Sequence, residues 1–256
     1  MLRCVPRCNI EYTLNESLVR PMREQIEELA SHGKELWRSE NYTEAEHEFR
    51  RALESAEEAY GPDAPELVDL LYWLSGAVAP PGDTELSPQR AVAVDLKRRA
   101  LRIAENHFGS DDPRLIRILS NLATSLRILQ RYEEAHDLLA RALPISENAH
   151  GDGGQTSDLL RMRVDVLLDL NRPAEALPFA ERALRLQESR IGELSSIGIG
   201  YACRALGRCL MGLGRNEEAI AYLERCLALF KARHPGKKIS IEDELLGWIE
   251  DLRKRS

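Results

Sequence analysis

The sequence predicts an all-α protein: a right-handed α-solenoid of five antiparallel helical hairpins followed by a C-terminal capping helix. Two spacings in the 256-residue chain carry that prediction. Arg-Ala-Leu recurs as Arg51-Ala52-Leu53, Arg99-Ala100-Leu101, Arg141-Ala142-Leu143 and Arg182-Ala183-Leu184, with Arg225-Cys226-Leu227 as a fifth version, and the central positions lie 48, 42, 41 and 43 residues apart. Seven residues before each central position stands another alanine: Ala45, Ala93, Ala135, Ala176 and Ala219. Two turns of helix separate the members of each pair, so both small side chains share one face and let a partner helix come close. Such a hairpin has an apolar face that it cannot cover alone, and repeated hairpins therefore stack.

Residues 1–15 precede the repeats and are expected to form a flexible arm. Cys4 and Cys8 lie there, with no Cys/His pair near them to complete a zinc site. The first hairpin, about 21–61, begins near Pro21, a residue suited to a first helical turn. It turns at Asn41-Tyr42 and ends at Gly61, which supplies a left-handed stop before Pro62. The second, about 65–109, is interrupted by a loop around Pro80-Pro81-Gly82. That loop is either a tolerated surface insertion or a contact element at one edge of a groove. Ser87-Pro88-Gln89 then has the composition of a helix cap and first turn.

The third hairpin, about 113–151, is the clearest copy, with an apolar-periodic helix from Leu115 to Leu129, a polar break at Gln130-Arg131, and a second helix from Tyr132. The fourth, about 156–192, turns at Asn171-Arg172, and Pro173 opens its second helix. Pro144 and Pro178 each fall inside a second helix, where kinks are expected. Gly153-Gly154 makes a soft joint between the third and fourth hairpins. The fifth, about 197–234, is glycine-rich. A last amphipathic helix within 239–256, opened by Ser240 and Asp243 as a capping box, covers the final apolar face.

The Tyr-x-Glu-Ala and Arg-Ala-Leu strings together resemble the tetratricopeptide repeat. The longer period, Gly-x-Asp-x-Pro at Gly61–Pro65 and Gly109–Pro113, and Asn121-Leu122-Ala123 make these repeats similar to the kinesin-light-chain type. The resemblance covers roughly residues 22–235 and implies an α-solenoid that binds a peptide or protein segment. It also implies that an asparagine in the first helix holds the backbone of an extended peptide. Here Asn121 alone matches, because Ser31, Trp73, Met162 and Ala205 occupy the equivalent places.

Composition restricts the function. Charged residues make up 30% of the chain and the net charge is −7, which disfavours a nucleic-acid binder. No apolar run approaches a membrane span and no signal-peptide segment is present, so a cytoplasmic protein is expected. The six histidines stand singly, and no metalloprotease motif, phosphate loop or nucleophile elbow occurs. Neither enzyme activity, cofactor nor metal is expected. Cys203 and Cys226 fall at small apolar anchor positions and read as core thiols.

The anchors also set the phase of the first helices, whose free face should line the groove. The expected peptide- or partner-binding residues are Lys34, Trp37, Tyr72, Arg117, Asn121, Thr124, Arg127, Arg161, Tyr201, Arg204 and Arg208. Arginines recurring along three adjacent repeats favour an acidic peptide; alternatively they are solvated, or paired with Asp158 and Asp165. The partner class is another protein or peptide. A second function class is a regulatory sensor whose curvature changes at Gly153-Gly154.

Overall fold

A computed structural model of the chain describes residues 16–80, 87–189, 193–236 and 238–255. The expected arm with Cys4 and Cys8, the loop residues 81–86 and Gly192 lie outside the described residues. Among the described residues there are helices and turns and no strand. The helices are α1 (Glu16–Arg38), α2 (Tyr42–Tyr60), α3 (Leu67–Val78), α4 (Pro88–Phe108), α5 (Leu115–Ile128), α6 (Tyr132–His150), α7 (Gly154–Asp169), α8 (Pro173–Glu188), α9 (Glu193–Gly212), α10 (Asn216–Arg233) and α11 (Glu242–Arg255). They form two compact units, Met1–Asp83 with α1 to α3 and Thr84–Ser256 with α4 to α11. The boundary falls inside the region expected as the second hairpin.

In the first unit α1 packs on α2 and α2 on α3. In the second, each helix from α4 to α11 packs on the next, and α7 also touches both α5 and α9. This is the packing of a solenoid of helix pairs. All ten anchors are internal: Ala93 and Ala100 are 1% exposed, and the other eight, Cys226 included, are 0% exposed. The phase inferred from the two spacings is therefore the phase of the core.

Four turns within hairpins share one backbone device. Glu40, Gln130, Asn171 and Gly214 have positive φ, between 57° and 71°. The next residue's N–H reaches back five positions, as Asn41 to Leu36, Arg131 to Leu126, Arg172 to Leu167 and Arg215 to Leu210. These are Schellman turns, and they close the first helix while aiming the chain into the second. Only one of the four carries glycine. Gln130→Gly should therefore stabilise the chain by up to about 1 kcal/mol, because a left-handed conformation costs an L-residue roughly 1–2 kcal/mol while glycine loses more entropy on folding. Urea denaturation of the variant beside the parent measures this.

The ends of second helices differ from expectation. Gly61 has φ 91° and ψ 162°, and Gly109 has φ 90° and ψ 164°. That extended positive-φ region is essentially closed to other residues, a stricter demand for glycine than a left-handed stop. After Gly109, the Asp112 carboxylate accepts hydrogen bonds from the Arg114 backbone N–H at 2.9 Å and from its guanidinium at 2.8 Å. The Arg114 guanidinium lies 3.5 Å from the centre of the Phe108 ring, clamping the turn between α4 and α5. Hydrogen bonds from the Arg114 side chain, then from its N–H, hold the Asp112 carboxyl down at about 2. A depressed acid contributes stability above its unfolded pKa and loses it as pH falls through its folded one. Asp112→Asn should accordingly flatten the loss of thermal stability between about pH 4 and pH 2, which a melting series across that range reads.

Two expectations about helix starts are corrected. α1 begins at Glu16, so Pro21 stands inside it and does not open it. Among the described residues Ser240 makes no capping bond: Glu242 accepts from the Ile239 N–H at 3.5 Å, and Asp243 pairs with Lys238 at 2.6 Å. Other starts fall at the expected residues. Ser87 is extended before Pro88 at the first helical position, and Pro173 opens α8. α6 and α8 continue through Pro144 and Pro178. The Gly153-Gly154 joint is tied by side chains. Thr156, 0% exposed, donates to the Gly151 carbonyl at 2.7 Å and meets the Ser146 hydroxyl at 2.9 Å. Gln187 donates to the neighbouring Ser157 hydroxyl at 2.8 Å.

The arginine of Arg-Ala-Leu also has a structural role. Arg141 pairs with Glu105 at 2.6 Å, Arg182 with Glu147, and Arg225 with Glu188 at 2.7 Å. Each glutamate stands five residues after the anchor of the preceding repeat. The last repeat has Lys231 at that place, and it pairs with Glu242 of α11 at 2.7 Å. The polarity of the ladder reverses where the capping helix begins. Exposed pairs contribute about 0–1 kcal/mol each, so the ladder contributes more to register than to stability.

Candidate functional site

The expected site residues fall into two groups, one in each unit. In the first unit, Trp37 from α1 and Trp73 from α3 meet edge to face with centroids 5.5 Å apart. Tyr72 lies 5.8 Å from Trp73, Tyr42 lies 6.0 Å from Trp37, and Phe49 stacks beneath Trp73 at 6.2 Å. The Lys34 ammonium sits 5.7 Å from the centre of the Trp73 ring. Lys34, Trp37, Tyr72 and Trp73 are all half-buried. These residues come together because α1 and α3 both pack on α2, with Lys34 and Trp37 one turn apart on α1 and Tyr72 and Trp73 adjacent in α3.

In the second unit, α5 and α7 enclose an open cleft of about 200 Å³. Ala123, Leu139, Met162 and Val166 form its apolar floor, and Thr124, Arg127, Arg161 and Asp165 its polar lining. Three of the expected residues, Thr124, Arg127 and Arg161, thus share one cleft. Arg117 and Asn121 stand on the turns of α5 preceding it. The Asn121 amide donates to the Arg117 carbonyl at 2.8 Å, and the Thr124 hydroxyl to the Ser120 carbonyl at 3.0 Å. Such bonding to the helix's own backbone leaves the Asn121 side-chain oxygen as its group for an incoming N–H.

Carboxylates on α7 and α11 engage four of the five expected arginines. Arg127 bonds Asp169, and Arg208 bonds Asp165, which also accepts Arg161 at 3.6 Å. Arg204 pairs with Glu244 of α11 at 2.8 Å and lies 5.4 Å from the centre of the Trp248 ring. Of the two anticipated carboxylates, Asp165 is used; Asp158 is exposed with no ion pair among the described residues. Asp169, Glu244 and Trp248 were not anticipated as members of this face. Their separations of 42 and 40 residues from Arg127 and Arg204 equal about one repeat, a signal already present in the period.

Tyr201, 42% exposed, packs edge-on against Phe230 at 5.1 Å, with the Arg161 guanidinium 5.8 Å from its ring centre. Arg208 also lines a second opening of about 350 Å³, with Met211, Trp248 and Arg255. The three cysteines among the described residues are buried free thiols. Burial pushes the Cys203 thiol up to about 11 and those of Cys209 and Cys226 up to about 12. Among the described residues no group of side chains could hold a metal ion, and no helix is long and apolar enough to cross a membrane.

Stacked helix pairs whose first helices present a partly open polar and apolar face define a protein-interaction scaffold. Family models of the tetratricopeptide repeat match residues 33–66, 89–148 together with 114–189, and 200–232. The chain belongs to the tetratricopeptide-repeat family. Similar solved structures include TPR-like repeats of a Podosopora anserina kinesin light chain, with TM-score 0.69 and 16% identity over 85% of this chain and 99% of that one. BtubC (BKLC) from P. vanneervenii has TM-score 0.69 and 18% identity over 88% of this chain and 95% of its own. Pseudomonas aeruginosa pilF has TM-score 0.60 and 20% identity over 92% and 87%. At these identities the likeness is one of fold. A search of curated proteins returns no significant match.

Proposed function

We propose that the chain is a non-catalytic scaffold that holds an extended segment of another protein along the first helices of residues 84–256, centred on the cleft between α5 and α7. The observation that carries this is the convergence there of Thr124, Arg127, Arg161 and Asp165 around an open apolar floor. An apolar side chain of the segment fills the floor, and the Asn121 oxygen accepts a backbone N–H. An acidic residue beside it engages Arg161. That arginine has 35% of its side chain exposed, and its ion pair with Asp165 is long at 3.6 Å, which leaves donors for a second carboxylate. Arg127 and Arg208 are more closely engaged, and a new carboxylate there would only replace an existing one. The acidic preference therefore resides chiefly at Arg161.

The buried bonds of Thr156 to Ser146 and to the Gly151 carbonyl, across the third and fourth repeats, support a rigid scaffold over a sensor bending at Gly153-Gly154. Peptides selected by display on the whole chain test the proposal. Arg161→Glu should weaken the selected peptides at least tenfold, while Arg131→Glu, on the exposed turn before α6, leaves them unchanged. Equal affinity for parent and Arg161→Glu would contradict it.

A further inference from the structure

The two units differ in charge. Met1–Asp83 carries 8 Lys and Arg against 17 Asp and Glu, a net −9, while Thr84–Ser256 carries 27 against 25, a net +2. The whole acidity of the protein thus lies in the unit that holds the aromatic cluster. Within that unit, Asp69 is one turn before Tyr72 and Trp73 on the same stripe of α3, and Glu27 is two turns before Lys34 on α1. Glu27 has 64% of its side chain exposed, with Arg23 at 3.0 Å.

We propose that the half-buried aromatic face of the first unit, Trp37, Tyr72 and Trp73, docks an arginine or lysine side chain of a basic partner segment. This rests on the scaffold reading and gives the first unit a ligand chemistry opposite to that of the Arg161 cleft. Indole faces attract cations through their quadrupole, and the protein already demonstrates this by placing the Lys34 ammonium over Trp73. The net −9 raises the local concentration of a basic segment and steers it to this unit. Asp69, one turn before Tyr72 and Trp73 on α3, adds a negative charge near the rings for an incoming guanidinium. Lys34 acts as an internal competitor that an incoming cation displaces.

The test follows tryptophan fluorescence of the full chain during titration with an Arg-Gly repeat peptide, its citrulline counterpart and a Glu-Gly peptide. With Trp248→Phe removing the indole of the second unit from the signal, the Arg-Gly peptide should bind at least tenfold tighter than the citrulline peptide, and the Glu-Gly peptide should leave the signal unchanged. Lys34→Met should tighten Arg-Gly binding roughly threefold or more, since it removes the competing cation and its repulsion. Trp73→Leu should weaken binding; if circular dichroism shows that variant unfolded, Lys34→Met and Tyr72→Leu decide. Equal binding of the citrulline peptide, or unchanged or weaker binding to Lys34→Met, overturns the proposal. Binding that ignores Tyr72 and Trp73 yet vanishes in 0.5 M salt also overturns it, as attraction to net charge only. Arg161→Glu separates the two proposals: it should not weaken the Arg-Gly probe. Failure of the Arg161 cleft to select any peptide would leave the Lys34 and Trp73 effects standing or falling by themselves.

Discussion

Lys97→Met is expected to stabilise the chain by about 2 kcal/mol at neutral pH. Three residues before each anchor the other repeats place a core residue: Phe49 and Leu223 are 0% exposed, Leu139 is 1% exposed and Ala180 is 0% exposed. In α4 the same place holds Lys97, whose ammonium donates to the Ser125 hydroxyl at 2.6 Å. Burial, and then repulsion from Arg90, lower its pKa from 10.5 to about 8. A displacement of that size corresponds to about 3 kcal/mol of destabilisation of the charged form, and losing the hydrogen bond to Ser125 takes back about 1 kcal/mol. The direction with pH follows. Between about 8 and 10.5 the unfolded chain binds the proton that the folded chain has released, so the parent gains stability as pH rises through that window. The methionine variant lacks this rise. Urea midpoints at pH 7 and pH 10 check both parts, and a variant less stable than the parent at pH 7 would show that the amine is well solvated.

Phe49→Ala should cost about 3–5 kcal/mol, the usual range for removing a fully buried aromatic. Phe49 is 0% exposed and packs on Trp73 and on Gly33. A Cβ built on Gly33 would stand 2.9 Å from Phe49 Cε1 and 3.0 Å from Cδ1 and Cζ, so α1 and α2 approach through the absence of a side chain. Gly33→Leu alone should therefore cost about 1–3 kcal/mol by overpacking. Placed together with Phe49→Ala, its side chain enters the space that the ring vacates, and the double variant should be markedly more stable than the two separate losses imply. A double-mutant cycle by urea denaturation measures the coupling. Additive losses would mean that the two residues are not in contact.

Much of this was legible from two small-residue spacings. Ala45 with Ala52, and its counterparts, fixed which face of each second helix is buried, because a small side chain at a helix crossing has few substitutes. The grouping of Thr124, Arg127 and Arg161 followed from the same phase. What the spacing could not deliver were interactions set by backbone conformation or by the far end of a long side chain. The positive φ of Glu40 and Gln130 left no glycine in the sequence to mark it. Pro21 carries the composition of a helix start, yet α1 begins five residues earlier. Ser240 and Asp243 have capping-box spacing, but Asp243 turns to Lys238 and Glu242 takes the capping role. For the arginines the sequence offered Asp158 and Asp165 as partners, whereas Arg127 and Arg204 pair with Asp169 and Glu244, which lie one whole repeat away in sequence.

The account depends on the first helices, and not the second, being the gripping face. A photo-cross-linking amino acid placed at Thr124, in the cleft, and separately at exposed Asp137 on α6, tests this with peptides selected on the unmodified chain. Cross-links from position 124, lost on competition with unlabelled peptide and absent from position 137, are the predicted result. Competable cross-links from position 137 with none from 124 would contradict it.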